Sequence, residues 1–215
     1  MTYNSKEHSS EELIQSLVDS GHLKTPRLIE AFRAIDRADF VLPEQRAEAY
    51  ADYPLPIGHD QTISQPLTVA FMLELLDPRP GDKMLDIGSG SGWTSALLAH
   101  IATPPSEAAP PKSGEVLAVE RIPELCEPGE ANVKKYNFVS RGAATFFCRD
   151  GLAGLPEHAP FDKILASAAT PAAIPQTWRD QLAIGGRIVA PVGGSVWMFE
   201  KKGEGEWKEK EYPGF

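Results

Sequence analysis

A glycine cluster in the middle of the sequence has the composition of a ligand-binding turn. A short apolar run reaches Asp86, glycines follow at positions 88, 90 and 92, and the next residues have the composition of a helix. Glycine tolerates positive φ angles and lets a ligand approach the backbone, so a buried strand that opens through glycines onto a helix commonly binds a nucleotide-like ligand. The spacing is not that of the dinucleotide motif, and the Lys-Ser/Thr pair of a P-loop is absent. A purely structural turn is the alternative.

Acidic residues follow the next two predicted strands. The strand Glu115–Val119 ends in Glu120, and the strand Ala144–Cys148 is followed by Asp150 and Gly151. An acid at the carboxyl end of a parallel strand can accept hydrogen bonds from both hydroxyls of a ribose. The alternatives are an exposed strand-end glutamate and a simple turn.

Apolar spacing predicts helices and strands that alternate along most of the chain. The predicted helices are Glu11–Val18, Pro26–Ile35, Leu67–Leu76, Ser95–Ile101, Leu125–Tyr136 and Gln176–Leu182. Besides the run before the glycine cluster and the two strands above, strands are predicted at Phe161–Ala166, Arg187–Val192, Val196–Lys201 and Trp207–Tyr212.

This order predicts an α/β fold: a doubly wound, mostly parallel sheet with helices on both faces and a C-terminal antiparallel hairpin. The 215 residues suit a single domain. Residues 1–80 (the substrate half) would supply N-terminal helices and a loop, and residues 81–215 (the cofactor half) would supply the sheet. The proline-rich segment 103–114 is interpreted as a flexible surface insertion.

Composition excludes several classes of function. The formal net charge of −9 disfavours a phosphate-binding surface, so nucleic acid is not an expected partner. Cys126 and Cys148 have neither C-x-x-C nor metal-ligand spacing, so we predict no metal site and reduced thiols in a cytoplasmic protein. No signal peptide or membrane-spanning stretch is recognisable, so no membrane partner is expected.

The segment 49–66 is the other informative stretch, and we name its residues Tyr53–Ser64 the lid loop. Prolines and a glycine exclude a regular helix, yet the segment is rich in large apolar side chains, and long ordered loops are often functional. Ser64 has no G-x-S-x-G elbow, which argues against a hydrolase nucleophile. It could instead cap the helix that begins near Pro66. His59 occupies a turn position, and a catalytic role for it is disfavoured.

Two motifs together resemble one family. Hydrophobic-Asp-hydrophobic-Gly-x-Gly-x-Gly resembles the first motif of S-adenosylmethionine-dependent methyltransferases. Residues 54–66, Pro-Leu-Pro-Ile-Gly-His-Asp-Gln-Thr-Ile-Ser-Gln-Pro, resemble the hallmark loop of protein-L-isoaspartate O-methyltransferases. Arg37–Pro43 and the stretches 161–169 and 185–193 also fit that family in the same order. The resemblance covers roughly residues 13–200, and the loop is its most specific part.

The resemblance implies a Rossmann-like methyltransferase fold, S-adenosyl-L-methionine as cofactor, and isoaspartyl-containing peptides and proteins as substrates in protein repair. It implies that Ser64 is the catalytic serine that orients the substrate carboxylate and that Glu120 binds the cofactor ribose. Asp150 with Gly151 would meet the adenine, and Asp86 would order the glycine turn near the methionine end. The implied cofactor-binding set is Thr62, Ile63, Ser64, Gln65, Asp86, Gly88, Ser89, Gly90, Gly92, Glu120, Arg121, Asp150 and Gly151.

Two departures from the family pattern leave alternatives open. The insertion lengthens the gap between Asp86 and Glu120, and the sequence ends in Glu211-Tyr-Pro-Gly-Phe215 rather than in the family's apolar, Pro-Leu type strand. The alternatives are a methyltransferase acting on RNA or a small molecule and a cofactor-binding homologue without turnover. A monomer is expected.

Overall fold

The computed structural model describes residues 9–103, 114–170 and 172–214. Apart from its end residues Thr103 and Gly114, the predicted insertion lies outside the described residues. The helices are α1 (Ser10–Asp19), α2 (Pro26–Ala34), α3 (Pro66–Leu76), α4 (Trp93–Ala102), α5 (Pro123–Lys134) and α6 (Gln176–Asp180). The strands are β1 (Leu55–Gly58), β2 (Gln61–Ile63), β3 (Lys83–Ile87), β4 (Glu115–Glu120), β5 (Ala144–Cys148), β6 (Phe161–Ala166), β7 (Leu182–Val192), β8 (Ser195–Gly203) and β9 (Glu206–Pro213).

The main sheet has seven strands in the order β5-β4-β3-β6-β7-β8-β9. Strands β5, β4, β3, β6 and β7 pair in parallel, whereas β7, β8 and β9 pair antiparallel. The predicted mostly parallel sheet with a C-terminal antiparallel hairpin is therefore confirmed. Strand β3 lies between β4 and β6. The chain extends the sheet from β3 first on the β4 side and later on the β6 side, and this reversal leaves a crevice at the carboxyl end of β3.

Alternate residues of the central strands face two separate cores. Met84 and Val116 belong to a core that includes residues of α1 to α5, whereas Leu85 and Leu117 belong to the core that contains Trp178 of α6. Near-continuous apolar strands are typical of a parallel sheet that is covered on both faces. The prediction of helices on both faces is thus confirmed.

Several local features differ from the sequence-based prediction. The lid loop contains a hairpin, β1–β2, whose turn residues His59 and Asp60 have φ angles of 52° and 55°. Two positive φ values favour a tight turn that suits the twist of a hairpin. Helix α5 begins at Pro123, a favourable first-turn position, and continues through Pro128. Helix α6 ends at Asp180, since Leu182 already pairs with Phe161.

Among the described residues, no helix is long and apolar enough to cross a membrane.

Candidate active site

A cavity of about 420 Å³ opens at the carboxyl ends of β3, β4 and β5 and is closed on one side by the lid loop. Most of the predicted site residues line it: Thr62, Ile63, Ser64, Gly88, Ser89, Gly90, Glu120, Arg121, Asp150 and Gly151. Gln65, Asp86 and Gly92 lie outside its wall. The fold thus brings together side chains from both halves of the chain. Their roles toward a ligand stay predictions.

The glycine turn after β3 is held by backbone contacts with two neighbouring elements. The amides of Gly88 and Ser89 donate to Val119 O at 2.8 and 3.1 Å. Gly92 has a φ of +87°, and a Cβ on it would lie 2.6 Å from Gly129 O in α5. Gly92 therefore makes the close packing of α5 possible and is not itself on the cavity wall. The turn is fixed before any ligand arrives.

Glu120 closes the cavity wall next to this turn. Its carboxylate accepts hydrogen bonds from the amides of Gly90 (2.9 Å), Arg121 (2.8 Å) and Ile122 (2.9 Å). The residue is only 6% exposed and lines the cavity. Since two carboxylate oxygens offer about four lone-pair sites, three backbone donors leave capacity for a ligand hydroxyl. The side chain is held in place rather than free at the end of a strand.

The segment after β5 is held by hydrogen bonds from side chains of α6. Trp178 Nε1 donates to Gly151 O at 2.9 Å, and Thr177 Oγ1 donates to Leu152 O at 2.6 Å. The Asp150 carboxylate accepts from the amide of Leu152 at 2.9 Å, so Asp150 caps a short 3-10 turn. Asp150 itself is exposed at the mouth of the cavity. The local turn expected as an alternative is therefore present, and the residue still faces the site.

Asp86 lies behind the wall and organises the helix that follows the glycines. It is fully buried, and its Oδ2 accepts from Thr94 Oγ1 at 2.8 Å and Ser95 Oγ at 2.6 Å. Its Oδ1 has no hydrogen-bond partner among the described residues. Burial raises the pKa of Asp86 to about 6, although the two hydroxyls counteract this by stabilising the charged form. Asp86 thus links the end of β3 to the first turn of α4.

Ser64 reaches the wall from the end of β2. The N-cap residue of α3 is Gln65, so the helix-capping role considered for Ser64 is not found. The Gln65 side chain instead donates to the backbone oxygen of Asp52 at 3.1 Å. Ser64 O accepts a hydrogen bond from the buried guanidinium of Arg37 at 3.2 Å. The position of Ser64 therefore depends on a residue far away in the sequence.

The cavity wall contains hydrogen-bonding groups rather than a nucleophile with a base. Neither His59 nor any other histidine lies on the wall within the described ranges. In the same part of the chain, no group of three His, Cys, Asp or Glu side chains could hold a metal ion. The arrangement is suited to holding two reactants in a fixed orientation.

Sequence reasoning missed three contributors to this site. The segment 167–170 after β6 lines the cavity, with Ala168 packed against Gly88. Gly129 allows α5 to approach the glycine turn, and Arg37 holds the lid loop. A glycine inside a predicted helix was an available signal of close packing.

Known proteins resemble the chain over nearly its whole length. The family model "Protein-L-isoaspartate(D-aspartate) O-methyltransferase" matches residues 8–213. A protein-L-isoaspartate O-methyltransferase of Aeropyrum pernix is 45% identical over 202 residues, covering 92% of this chain and 74% of that relative. One from Methanopyrus kandleri is 39% identical over 208 residues, covering 95% of this chain and 87% of the relative.

The fold also has close counterparts among solved structures. A protein-L-isoaspartate O-methyltransferase structure from Plasmodium falciparum, in complex with S-adenosyl-L-homocysteine, superposes with a TM-score of 0.83. The two chains are 21% identical, and the match covers 97% of this chain and 96% of the other. That likeness shows the Rossmann-like methyltransferase fold. The family model and the relatives show more: the chain belongs to the protein-L-isoaspartate(D-aspartate) O-methyltransferase family.

Proposed function

We propose that this protein transfers a methyl group from S-adenosyl-L-methionine to the free α-carboxylate of isoaspartyl residues in damaged proteins. Family membership supports this reaction. The structural observation that carries it is the shared cavity, where Ser64 of the substrate half lies on the same wall as Glu120 and Asp150 of the cofactor half. These are the residues expected to meet the acceptor and the two ends of the adenosine.

The residues present fit the cofactor. The cavity lies within the range of about 300–1,000 Å³ that is usual for small-molecule sites. Glu120 has remaining acceptor capacity for a ribose hydroxyl, and Asp150 at the mouth can accept from an adenine amino group. Ser89 Oγ is buried on the wall without a hydrogen-bond partner among the described residues, which fits a group that bonds to a ligand.

The chain orients the two reactants and excludes water from them, and it supplies neither an acid nor a base. Bound S-adenosylmethionine supplies a methyl group carried on a positively charged sulfur. The acceptor carboxylate, with an unperturbed pKa of about 4, is already anionic at neutral pH and needs no base. Ser64 can donate a hydrogen bond that orients this carboxylate, and the lid loop covers the site. Positioning of this kind can lower a barrier by about 7–11 kcal/mol.

The methyl ester gives the reaction its use in repair. Esterification gives the carboxyl carbon a methoxy leaving group, so the neighbouring backbone amide nitrogen can attack that carbon, release methanol and close the succinimide ring. Hydrolysis of the succinimide then returns part of the material to a normal aspartyl linkage. A hairpin lid that meets an extended peptide through its backbone suits substrates with many different side chains.

The test is a methyl-transfer assay with labelled S-adenosylmethionine. The substrates are an isoaspartyl peptide, its twin with a normal aspartyl linkage, and a transfer RNA. Label on the isoaspartyl peptide alone supports the proposal, whereas label on the RNA, or on both peptides equally, contradicts it. Cofactor binding without transfer to any of the three would indicate a homologue without turnover. The monomeric state and the cytoplasmic location stay predictions.

A further inference from the structure

Arg37 is a buried arginine that ties several backbone segments together. It lies in a 3-10 turn after α2 and is 2% exposed. Its Nη1 donates to Ala49 O at 2.7 Å and Ala51 O at 3.2 Å, and its Nη2 donates to Tyr53 O at 3.0 Å and Ser64 O at 3.2 Å. Tyr53 and Ser64 are the two ends of the lid loop. One guanidinium nitrogen therefore holds both ends of the loop.

The same side chain also contacts the cofactor half. The guanidinium carbon lies 5.4 Å from the centre of the Trp93 ring, and Trp93 lines the cavity at the start of α4. This geometry is typical of a cation–π contact. Arg37 thus lies between the base of the lid loop and the helix that follows the glycine turn.

The guanidinium remains positively charged in this buried place. Burial lowers the pKa of Arg37 to about 10, and the charge of Asp52 counteracts this. The side chain is therefore protonated at neutral pH. Its positive charge is met by carbonyl dipoles, and it lies beside the serine that is expected to meet an anionic carboxylate.

The contact pattern requires arginine in particular. Four carbonyls on two terminal nitrogens use the planar fork of the guanidinium, whereas a lysine presents one compact ammonium with three donors. A side chain that only filled space at this point would not need several hydrogen-bond donors held in one plane.

We propose that Arg37 is a positioning residue for methyl transfer: it closes the base of the lid loop and so fixes Ser64 on the cavity wall. The proposal rests on the proposed function and names a residue that acts through Ser64 rather than on the reactants.

The test compares Arg37→Met and Arg37→Lys with the control Arg46→Met. Arg46 lies in the same region, but its Nη1 donates to Ala38 O at 3.2 Å and not to the lid loop. Three measurements are made on each folded variant: steady-state kinetics (kcat and KM) with an isoaspartyl peptide, calorimetry for the cofactor Kd, and amide hydrogen exchange of the lid loop.

We expect Arg37→Met to lower kcat about 10- to 100-fold, because a displacement of about 1 Å can cost a factor of about 100 in rate. Lid-loop amides should exchange faster, while the cofactor Kd should change by about twofold or less. Arg37→Lys should retain the exchange defect and most of the kcat loss, since it keeps the charge but not the fork. Arg46→Met should resemble the wild type in all three. If Arg37→Met does not fold, Arg37→Lys carries the same test.

The proposal would be overturned if the Arg37 variants kept the wild-type kcat and the wild-type rate of hydrogen exchange in the lid loop. It would also fail if Arg46→Met lost as much kcat, or if cofactor affinity fell as far as kcat, since either result indicates general loosening. Failure of the proposed function is recognised separately, by a wild-type protein that does not methylate the isoaspartyl peptide. In that case hydrogen exchange still shows whether Arg37 holds the lid loop.

Discussion

The two halves of the molecule each contain a buried charged residue, and the two are held in opposite ways. Asp86 in the cofactor half accepts from Thr94 and Ser95, which follow it by 8 and 9 positions. Arg37 in the substrate half donates to carbonyls that are 12 to 27 positions away. The carboxylate of Asp86 is thus held by neighbours in sequence, whereas the guanidinium of Arg37 depends on tertiary contacts.

This difference indicates which substitutions should affect each half of the molecule. The glycine turn has its own hydrogen bonds and packing, so changes in the lid loop should leave cofactor binding intact. Both ends of the lid loop bond to one distant guanidinium, so loss of that side chain should loosen the loop without unfolding the sheet. The predictions below test this separation, beginning with the largest expected effect.

Gly92→Ala should strongly destabilise the cofactor half. The new Cβ would lie 2.6 Å from Gly129 O, at a residue with a φ of +87°. Overpacking and left-handed backbone strain together should lower the free energy of unfolding by about 2–4 kcal/mol. The matched control is Gly205→Ala, which has a φ of +74° but open space around it. Urea unfolding measures both, and equal losses would show that packing against α5 contributes nothing.

Glu120→Ala should weaken cofactor binding and leave the lid loop unaffected. Loss of hydrogen bonds to a charged group costs about 1.5–3 kcal/mol, which is about 10- to 150-fold in Kd. The control, Asp60→Asn, also changes an acid on the cavity wall but lies at the turn of the lid hairpin. It should change the cofactor Kd by about twofold or less. Calorimetry that finds the same Kd for Glu120→Ala and the wild type would remove Glu120 from the cofactor site.

Asp86→Asn should change how stability depends on pH. The folded-state pKa of Asp86, about 6, lies above the ordinary value of 3.8 for an aspartate, so the folded protein binds this proton more tightly than the unfolded chain does. The stability contributed by that proton is present below about pH 4 and is lost as the pH rises through 6. Relative to the variant, the wild type should therefore lose roughly 1–3 kcal/mol between pH 4 and 7. Parallel stability curves would contradict this.

Replacing residues 104–113 by a short Gly-Ser link should change activity very little. The segment joins the end of α4 to the start of β4, which is the amino edge of the parallel sheet and lies opposite the cavity. Its proline-rich composition predicts a surface connector, and changes in loop length cost little free energy. A large loss of turnover at an unchanged melting temperature would mean that this segment contacts substrate or a partner.

Much of the cofactor half was predictable from the sequence because its strands and its glycine turn are local features. The strands at 144–148 and 161–166 have the predicted bounds, and the glycine turn and Glu120 lie where the pattern placed them. Strand periodicity and glycine spacing act within a few residues, so a single sequence contains that information.

The substrate half was predictable only in part. The lid loop was recognised as functional, but its hairpin turns through His59 and Asp60, without the Asn-Gly or Asp-Gly pair that signals such a turn in a sequence. The role of Arg37 depends on carbonyls that only the folded chain brings to it. In the cofactor half, the contact of Gly129 with the glycine turn likewise joins positions far apart in sequence, so spacing alone could not indicate it.

The central claim is that this site orients its reactants and forms no covalent bond with them, and Ser64→Ala tests it most directly. If Ser64 only holds the carboxylate, kcat/KM for the isoaspartyl peptide should fall about 10- to 150-fold, the value of one hydrogen bond to a charged group. The cofactor Kd should stay within about twofold, and mass spectrometry of the wild type during turnover should find no adduct on Ser64. The control Ser140→Ala removes an exposed hydroxyl that donates to the backbone oxygen of Asn137. A complete loss of turnover with an adduct on Ser64, or a wild-type rate in Ser64→Ala, would contradict the account.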